Sequence, residues 1–170
     1  MLHYLTNAIS LSVYILLGLV TLERQLNGET ITISFDCQDE AEMDMEDMPE
    51  EQETNENEED GASLEYGINM DVTITKASGE KVVVTAVASR KLIVRNVRHL
   101  ALGKEISDTK SYGGPLFEEL NEELQDSFYS YLEDRGVDDE LCFFVLSNSR
   151  VKEQAEYSNW LKKMLTFVEK

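Results

Sequence analysis

The sequence predicts an α+β fold in which antiparallel strands come first and helices follow on one face of the sheet. Three observations support this prediction. Apolar and polar side chains alternate in runs between Val20 and Leu100, which is typical of strands with one buried face. An Asn27-Gly28 turn joins the first two runs, and from about Glu118 the apolar spacing changes to that of helices.

The first hairpin is predicted from residues 20–35. Two alternating runs, 20–26 and 30–35, flank Asn27-Gly28, and these two residue types readily take the positive φ values of a tight two-residue turn. The alternation predicts one buried face, formed by Val20, Leu22, Leu26, Ile31, Ile33 and Phe35.

Three further strands are predicted after the acidic segment that follows this hairpin. Residues 68–75 alternate again, residues 81–89 are rich in β-branched side chains, and residues 92–100 form a third run. The connections Ser78-Gly79 and Ser89-Arg90-Lys91 are so short that consecutive strands should pair antiparallel. The acidic segment is then a long loop between the second and third strands.

The C-terminal third is predicted to be helical. Asn121 is a candidate N-cap, Glu122 and Glu123 suit the first turn, and Gly136 suits the end of this helix. Asp138 can cap a second helix, and the helical pattern resumes near the C-terminus. The apolar positions form a seam that could pack on the sheet or on a neighbouring helix: Leu120, Leu124, Phe128, Tyr131, Leu132, Leu141, Phe144, Val145, Tyr157, Trp160, Leu161, Met164 and Val168.

Residues 1–19 form an apolar N-terminal segment ahead of a single domain at residues 20–170. Residues 2–22 contain no Asp, Glu, Lys or Arg, and their length approaches the roughly 20 residues of a membrane span. Neither the basic start and cleavage site of a secretory signal nor an Arg-rich, amphipathic mitochondrial transit peptide is recognisable. Three alternatives stay open: an anchor or signal, a buried helix that leads into the first strand, or a start that is not the natural one.

Acidic residues are concentrated in the segment Asp36–Asp60, here called the acidic run. It holds fourteen acidic residues and no Lys or Arg, whereas the rest of the chain holds 20 acids and 15 bases. Charges at this density repel each other and stay solvated, so we expect a disordered loop at about residues 37–64. The residues expected to meet partners are Asp39, Glu40, Glu42, Asp44, Glu46, Asp47, Glu50, Glu51 and Glu53.

The charge of the acidic run selects among partners. It attracts basic proteins or peptides and repels phosphates, so direct nucleic-acid binding through the run is not expected. Met43, Met45 and Met48 could add contacts with basic amphipathic segments, or could be incidental to a disordered loop. Weak, diffuse binding of divalent cations is compatible with the run, but Asp44–Asp47 lacks the Gly and Glu spacing of an EF-hand.

No catalytic or cofactor-binding constellation is found in the sequence. His99 has neither Cys nor a carboxylate at metal-ligand spacing, and phosphate-loop, nucleotide and Ser-His-Asp patterns are absent. We therefore expect no enzymatic activity, no cofactor and no dedicated metal site. Two cysteines, Cys37 and Cys142, define no disulfide framework; we expect free thiols, and a single bridge is the alternative.

A second charged segment, residues 81–104, contains six bases and no Asp or Glu. It is either an exposed sheet face balanced by acidic neighbours or a contact for phosphates or RNA. No aromatic residue interleaves with the bases, which disfavours stacking on single-stranded nucleic acid. The arrangement suggests that acidic and basic residues occupy different faces. The bases are Lys81, Arg90, Lys91, Arg95, Arg98 and Lys104.

The chain also carries a spaced motif. Its residues are Tyr112, Gly113, Gly114, Pro115, Phe117 and Leu124, then Arg135 and Gly136 within YLEDRGV, and then Tyr157, Trp160 and Leu161. Upstream stand VTLERQLNGETITISF, an acidic insertion and VTITKASGEKVVVTAVA, in that order. Over residues 20–170 this pattern resembles the mitochondrial acidic matrix protein family, also called the mitochondrial glycoprotein family, and is most similar to plant members. We expect structural roles for the motif residues, with Trp160 as a core or subunit-interface anchor.

The resemblance implies a strongly twisted antiparallel sheet flanked by an N-terminal helix and C-terminal helices, closed into a doughnut-shaped homotrimer. The family includes a human acidic protein that binds a complement component and hyaluronan. For this chain the resemblance implies a non-enzymatic, chaperone-like or scaffold protein of the mitochondrial matrix. Such a protein would bind basic proteins and support oxidative phosphorylation or mitochondrial gene expression. The alternative is a membrane-anchored or secreted acidic binding protein that uses residues 2–22 as anchor or signal.

Overall fold

The computed structural model describes residues 5–6, 9–16, 18–41, 66–104 and 112–169, with side chains described from Gly18 onward. Seven strands come first: β1 (Leu5–Thr6), β2 (Ile9–Leu16), β3 (Leu19–Leu26), β4 (Glu29–Ala41), β5 (Gly67–Thr75), β6 (Lys81–Ala88) and β7 (Leu92–Leu100). A 3₁₀ turn at Phe117–Glu119 and two helices, α1 (Glu122–Glu133) and α2 (Asp139–Val168), follow.

The strands form one antiparallel sheet in chain order, from β1 at one edge to β7 at the other. The predicted hairpin is confirmed: β3 pairs with β4 from Leu19↔Asp36 to Leu26↔Glu29. Asn27 and Gly28 have φ values of 51° and 80°, as a two-residue turn between twisted strands requires. The predicted meander of the last three strands is confirmed as well.

Of the N-terminal segment, residues 9–16 form a strand, so the alternative of a buried helix is wrong for these residues. Ile9–Leu16 pairs with β3 from Leu11↔Arg24 to Leu16↔Leu19, so the sheet begins before Val20. The physical reason is visible in ISLSVYI, which alternates in polarity and is rich in β-branched residues, as strands are. Among the described residues, no helix is both long enough and apolar enough to span a membrane.

The fourth strand runs further than the sequence predicts. β4 continues to Ala41, so residues 37–41 belong to a strand and not to the expected loop. The register with β5 jumps between Phe35 and Glu40, and hydrogen bonds hold this irregular stretch in place. Asn69 Nδ2 donates to Asp39 Oδ1 at 2.9 Å. The rest of the expected loop, residues 42–64, lies outside the described residues.

The core lies between one face of the sheet and the two helices. Its helical side is formed by Leu132, Val137, Cys142, Val145 and Leu146, and its sheet side by Val20, Leu22, Ile31, Ile33, Phe35, Ile68, Met70, Val72, Ile74, Val84, Ala86, Ala88, Leu92 and Val94. Burial of each large apolar side chain contributes about 1.5–3 kcal/mol. This arrangement confirms the α+β class, because the helices lie on one face of a consecutive antiparallel sheet.

Both predicted helix caps are confirmed. The side chain of Asn121 accepts a hydrogen bond from the Leu124 amide, and that of Asp138 accepts one from the Leu141 amide. The second helix is continuous over 30 residues, and its buried side chains end at Ser149. The distal part of the predicted apolar seam lies outside the core, since each of its side chains is more than 40% exposed: Tyr157, Trp160, Leu161, Met164 and Val168. A core role for Trp160 is wrong, since Trp160 is 53% exposed.

Candidate functional site

The structure describes only the beginning of the predicted acidic site. Asp39 and Glu40 lie exposed at the end of β4, where the chain leaves the sheet and enters the remaining acidic run. The other residues expected to meet partners are outside the described ranges: Glu42, Asp44, Glu46, Asp47, Glu50, Glu51 and Glu53.

A second acidic surface, which the sequence reading did not single out, lies on and beside α1. Residues 118–140 contain ten acids and one base, and all ten acids except half-buried Asp138 are exposed. We call these ten residues the α1 acidic surface: Glu118, Glu119, Glu122, Glu123, Asp126, Glu133, Asp134, Asp138, Asp139 and Glu140. A count of charges over 23-residue windows would have found it.

The positions of these acids in the helices explain why so many carboxylates are compatible with the fold. Glu122 and Glu123 occupy the first turn of α1, and Asp139 and Glu140 occupy the first turn of α2. The unpaired amides and the positive dipole end of a helix stabilise carboxylates there, each by about 0.3–1 kcal/mol. Four of the ten charges thus stabilise the fold while they face the solvent.

The basic residues are not fully separated from the acidic ones. Arg90 and Lys91 are exposed at the turn between β6 and β7, as an exposed basic face predicts. Lys91, however, shares a pocket of about 570 Å³ with Glu133 and with acids of the α1–α2 junction. The cause is a hydrogen bond from the Leu92 amide to Asp139 Oδ1 at 3.0 Å, which fixes the start of β7 beside α2. The expectation of separate faces therefore fails at Lys91.

The Gly-Gly-Pro motif lies in the segment that connects the last strand of the sheet to the helices. The side-chain amide of Asn96 on β7 donates to the carbonyl oxygens of Gly113 and Pro115, at 2.8 and 3.3 Å. Gly114 has a φ of 79°, and a Cβ atom there would lie 2.8 Å from the Val97 carbonyl oxygen. A side chain at Gly114 is thus excluded both by conformation and by space.

The aromatic and flanking positions of this motif differ in burial. Phe117 is buried with edge-to-face contacts to Phe128 and Tyr129. Tyr112 and Leu124 are exposed, so neither of them anchors the core. Between Tyr112 and Leu124, the conformation of Gly114 and the burial of Phe117 are therefore compatible with the structural role expected for the motif.

Arg135 lies at the centre of a polar cluster at the α1–α2 junction. Its guanidinium contacts Glu29 Oε2 through Nε at 2.9 Å and through Nη2 at 2.8 Å, and it lies over the Tyr131 ring. Its carbonyl oxygen accepts a hydrogen bond from Arg24 Nη1 at 2.7 Å. The next residue, Gly136, has a φ of 70°, and a Cβ atom there would clash with Arg24. These contacts fix the junction to the first hairpin.

The distal half of α2 and the end of β4 enclose a groove of about 550 Å³. We call it the α2 groove, and it is lined by Gly18, Cys37, Gln38, Glu153, Glu156, Tyr157, Trp160 and Lys163. The rings of Tyr157 and Trp160 are stacked at 6.1 Å, and Gln38 Nε2 donates to Glu153 Oε2 at 3.0 Å. Neither the groove nor its lining could be read from the spacing of residues in the chain.

Both cysteines are buried free thiols, as expected. Burial raises the pKa of the Cys142 thiol to about 12, and Asp139 adds to this shift. Burial also raises the pKa of Cys37, with the charge of Asp36 as the next cause. Thiols held in the neutral form are poor nucleophiles and poor metal ligands. Within the described ranges, no group of three or more His, Cys, Asp or Glu side chains is placed to hold a metal ion.

Comparison with known proteins places this fold and motif in a family. The model of the mitochondrial glycoprotein family matches residues 18–168. The chain belongs to the mitochondrial glycoprotein family. The match covers the whole described sheet from β3 onward and both helices, and it confirms the resemblance carried by the Gly-Gly-Pro and YLEDRGV segments.

Two relatives of this family member are named as mitochondrial proteins. The mitochondrial acidic protein mam33 of Schizosaccharomyces pombe is 46% identical over 68 residues, which are 40% of this chain and 25% of that protein. An uncharacterized mitochondrial protein of Arabidopsis thaliana is 35% identical over 112 residues, which are 64% of this chain and 44% of that protein. The chain thus spans from a quarter to less than half of the length of these relatives.

Two solved structures share the fold. One is a hypothetical Leishmania major protein, described as a sequence homologue of the human p32 protein. It superposes with a TM-score of 0.72 at 24% identity, and the match covers 92% of this chain and 81% of the Leishmania chain. The Trypanosoma brucei p22 protein also has a TM-score of 0.72, at 23% identity, and covers 97% of this chain and 84% of its own. At these identities the likeness establishes the fold.

Proposed function

We propose that this member of the mitochondrial glycoprotein family is a homotrimeric acidic protein of the mitochondrial matrix. It binds basic proteins in a chaperone-like or scaffold role, without catalysis, and supports oxidative phosphorylation or mitochondrial gene expression. The observation that carries the proposal is the exposed α1 acidic surface, which adds ten folded carboxylates to the fourteen of the acidic run. A mitochondrial location is supported by the names of the relatives, and the matrix follows from the family resemblance alone.

The acidic charge attracts basic proteins electrostatically before they make contact. Clustered charges of one sign raise the local concentration of opposite charges and speed encounter, and this effect weakens with salt. In a trimer, three acidic runs would bring about forty carboxylates to one assembly. Such a surface would keep an unassembled basic protein in solution. This is the effect that we mean by a chaperone-like role.

The trimer is supported by the family resemblance and by apolar side chains that the chain leaves exposed. Phe143 and Val151 lie on the outward face of α2, and each is 72% exposed. Large apolar side chains in such positions are typical of surfaces that contact another protein. We propose that they contribute to the contact between subunits.

Deletion of residues 42–60 tests the function directly. The deletion removes eleven acids and keeps β4 and β5 intact. We expect the affinity for a basic protein at low salt to fall by about tenfold or more, because the long-range attraction is lost. An unchanged affinity, or binding by the full chain that does not respond to salt, would contradict the proposal.

A further inference from the structure

We propose that a small pocket beside the β5–β6 hairpin binds one phosphate group, either as inorganic phosphate or as a small phosphate monoester. We call it the hairpin pocket. Its volume is about 70 Å³, and its lining is formed by Ile74, Lys76, Glu80, Lys81, Val82, His99 and Tyr131. Lys81 is one of the bases of residues 81–104 to which the proposed function gives no role. The inference does not depend on the proposed function, so either can fail without the other.

Three strands bring nitrogen donors to the hairpin pocket. Lys76 follows the end of β5, Lys81 begins β6, and His99 lies on β7 opposite Val82. Among the described residues, neither lysine ammonium lies within 4.0 Å of a carboxylate. Each ammonium carries three N–H donors and no acceptor, so both are available to an anion.

Helix α1 contributes the side chain of Tyr131 to the pocket. The Arg135 guanidinium lies over this ring, 3.4 Å from its centroid, and Arg135 is itself paired with Glu29. Within the part of the chain that the structure describes, the Tyr131 hydroxyl makes no hydrogen bond. It is therefore available to donate to a phosphate oxygen.

One carboxylate, that of Glu80, shares the pocket and competes with a bound anion. Glu80 Oε1 lies 3.9 Å from His99 Nε2, and the two side chains are 52% and 62% exposed. Ser78 Oγ donates to the other oxygen, Glu80 Oε2, at 3.1 Å. An exposed contact as long as 3.9 Å contributes little, so a phosphate can replace Glu80 beside His99. Two ammonium groups against one carboxylate leave the pocket positive even when the imidazole is neutral.

The size of the hairpin pocket restricts the ligand. A volume of 70 Å³ is roughly the room of two water molecules, which is the scale of one tetrahedral anion and too small for a nucleobase. The net charge of -19 on the whole chain also repels an extended polyanion. Size and charge together favour a single phosphate group over a nucleic acid.

Proton NMR of the His99 imidazole tests the inference. His3→Gln leaves His99 as the only histidine of the chain. Inorganic phosphate and glycerol phosphate are titrated separately at pH 7, with sodium chloride used to keep the ionic strength constant. We expect the imidazole resonances to shift with saturation at about 1–10 mM phosphate, and sodium chloride alone to produce no saturable shift. The absence of a saturable shift with both phosphates would overturn the inference.

Lysine substitutions locate the binding. Lys76→Gln combined with Lys81→Gln should weaken phosphate binding by about fivefold or more, because two charge-assisted contacts are lost. The matched control is Lys162→Gln combined with Lys163→Gln on α2. It makes the same change in net charge and should weaken binding by less than about twofold. Equal weakening by the two pairs would show diffuse attraction of the anion and would overturn the inference.

Glu80 and Tyr131 provide two substitutions with opposite expected signs. Glu80→Gln removes the competing carboxylate and should tighten phosphate binding by about two- to threefold. Tyr131→Phe removes the hydroxyl but keeps the ring beneath Arg135, and it should weaken binding by about two- to fivefold. Circular dichroism checks that both variants stay folded. Unchanged affinity in both would overturn the inference. So would phosphate binding that appears only after deletion of residues 42–60, because the carboxylates of the chain itself would then occupy the pocket.

Discussion

Arg135 and Glu29 form a two-point ion pair that joins the α1–α2 junction to the first hairpin across 106 residues of sequence. Both side chains are only 15% exposed. Since Arg135 belongs to the YLEDRGV segment, this contact gives one of the family motif residues a physical role. The pair fixes where the helices begin relative to the sheet, and hence where α2 and its distal groove lie.

Removal of one partner of this ion pair should destabilise the fold. Glu29→Gln leaves the Arg135 guanidinium largely buried without its counter-charge, and we expect the free energy of unfolding to fall by about 2–4 kcal/mol. Urea denaturation measures this loss. Glu133→Gln is the matched control, because it removes an exposed acid two residues from Arg135 and should change the free energy of unfolding by less than about 0.5 kcal/mol. Equal effects of the two substitutions would contradict the assigned role.

The two glycines of the Gly-Gly-Pro motif should respond differently to alanine. Gly114→Ala forces a side chain into a positive-φ conformation and against the Val97 carbonyl oxygen, so we expect a loss of about 2–3 kcal/mol in the free energy of unfolding. A Cβ atom at Gly113 meets nothing within 4 Å, and Gly113 does not have a positive φ. Gly113→Ala should therefore be nearly neutral. Thermal unfolding of both variants tests this difference, and an equal drop in Tm would contradict it.

The Cys142 thiol should make stability fall at alkaline pH. In the folded chain its pKa is raised to about 12 from the model-peptide value of 9.0, so the unfolded chain loses this proton first as the pH rises. The stabilising effect is complete below pH 9 and is lost between pH 9 and 12. At pH 10.5 this group alone should lower the free energy of unfolding by about 2 kcal/mol.

Cys142→Ala provides the comparison for that pH dependence. The variant loses some stability at pH 7 because of the cavity it creates, but its decline above pH 9 should be shallower than that of the parent chain. Urea denaturation at pH 7, 9 and 10.5 measures both curves. If the free energy of unfolding falls with pH equally in both chains, deprotonation of Cys142 does not contribute to the loss of stability, and the prediction is wrong.

Phe143 tests the proposed contact between subunits. Phe143→Ser removes an exposed apolar side chain from the outward face of α2, and we expect the trimer to dissociate at about tenfold higher protein concentration. Tyr112→Ser is the control, because Tyr112 is also exposed but lies in the segment before the helices. Sedimentation equilibrium measures both variants. If Tyr112→Ser weakens the trimer and Phe143→Ser does not, the contact lies elsewhere.

The parts of the fold that local chemistry specifies could be predicted from the sequence. The Asn27-Gly28 turn, the caps at Asn121 and Asp138 and the alternation within β5 each depend on residues that are near one another in the chain. The strand Ile9–Leu16 was missed because an apolar segment of this length fits a helix as well as a strand. Its pairing with β3 decides between them, and pairing is a tertiary property.

The candidate sites could be predicted only in part. The acidic run is a matter of composition, and composition is visible in the sequence. The α1 acidic surface is less visible in the sequence, because its ten acids are interspersed with the apolar positions of a helix pattern. The α2 groove joins Cys37 to Trp160, which are far apart in the chain, so only the packing of α2 beside β4 brings them together.

Sedimentation velocity of the full chain, alone and with an excess of a basic peptide, tests the central claim most directly. The account predicts a single species of three chains, with peptide that sediments with it at low salt and is released at 0.5 M salt, where the Debye length is about 4 Å. A monomer, or a peptide that stays behind at low salt, would contradict an acidic homotrimer that binds basic clients.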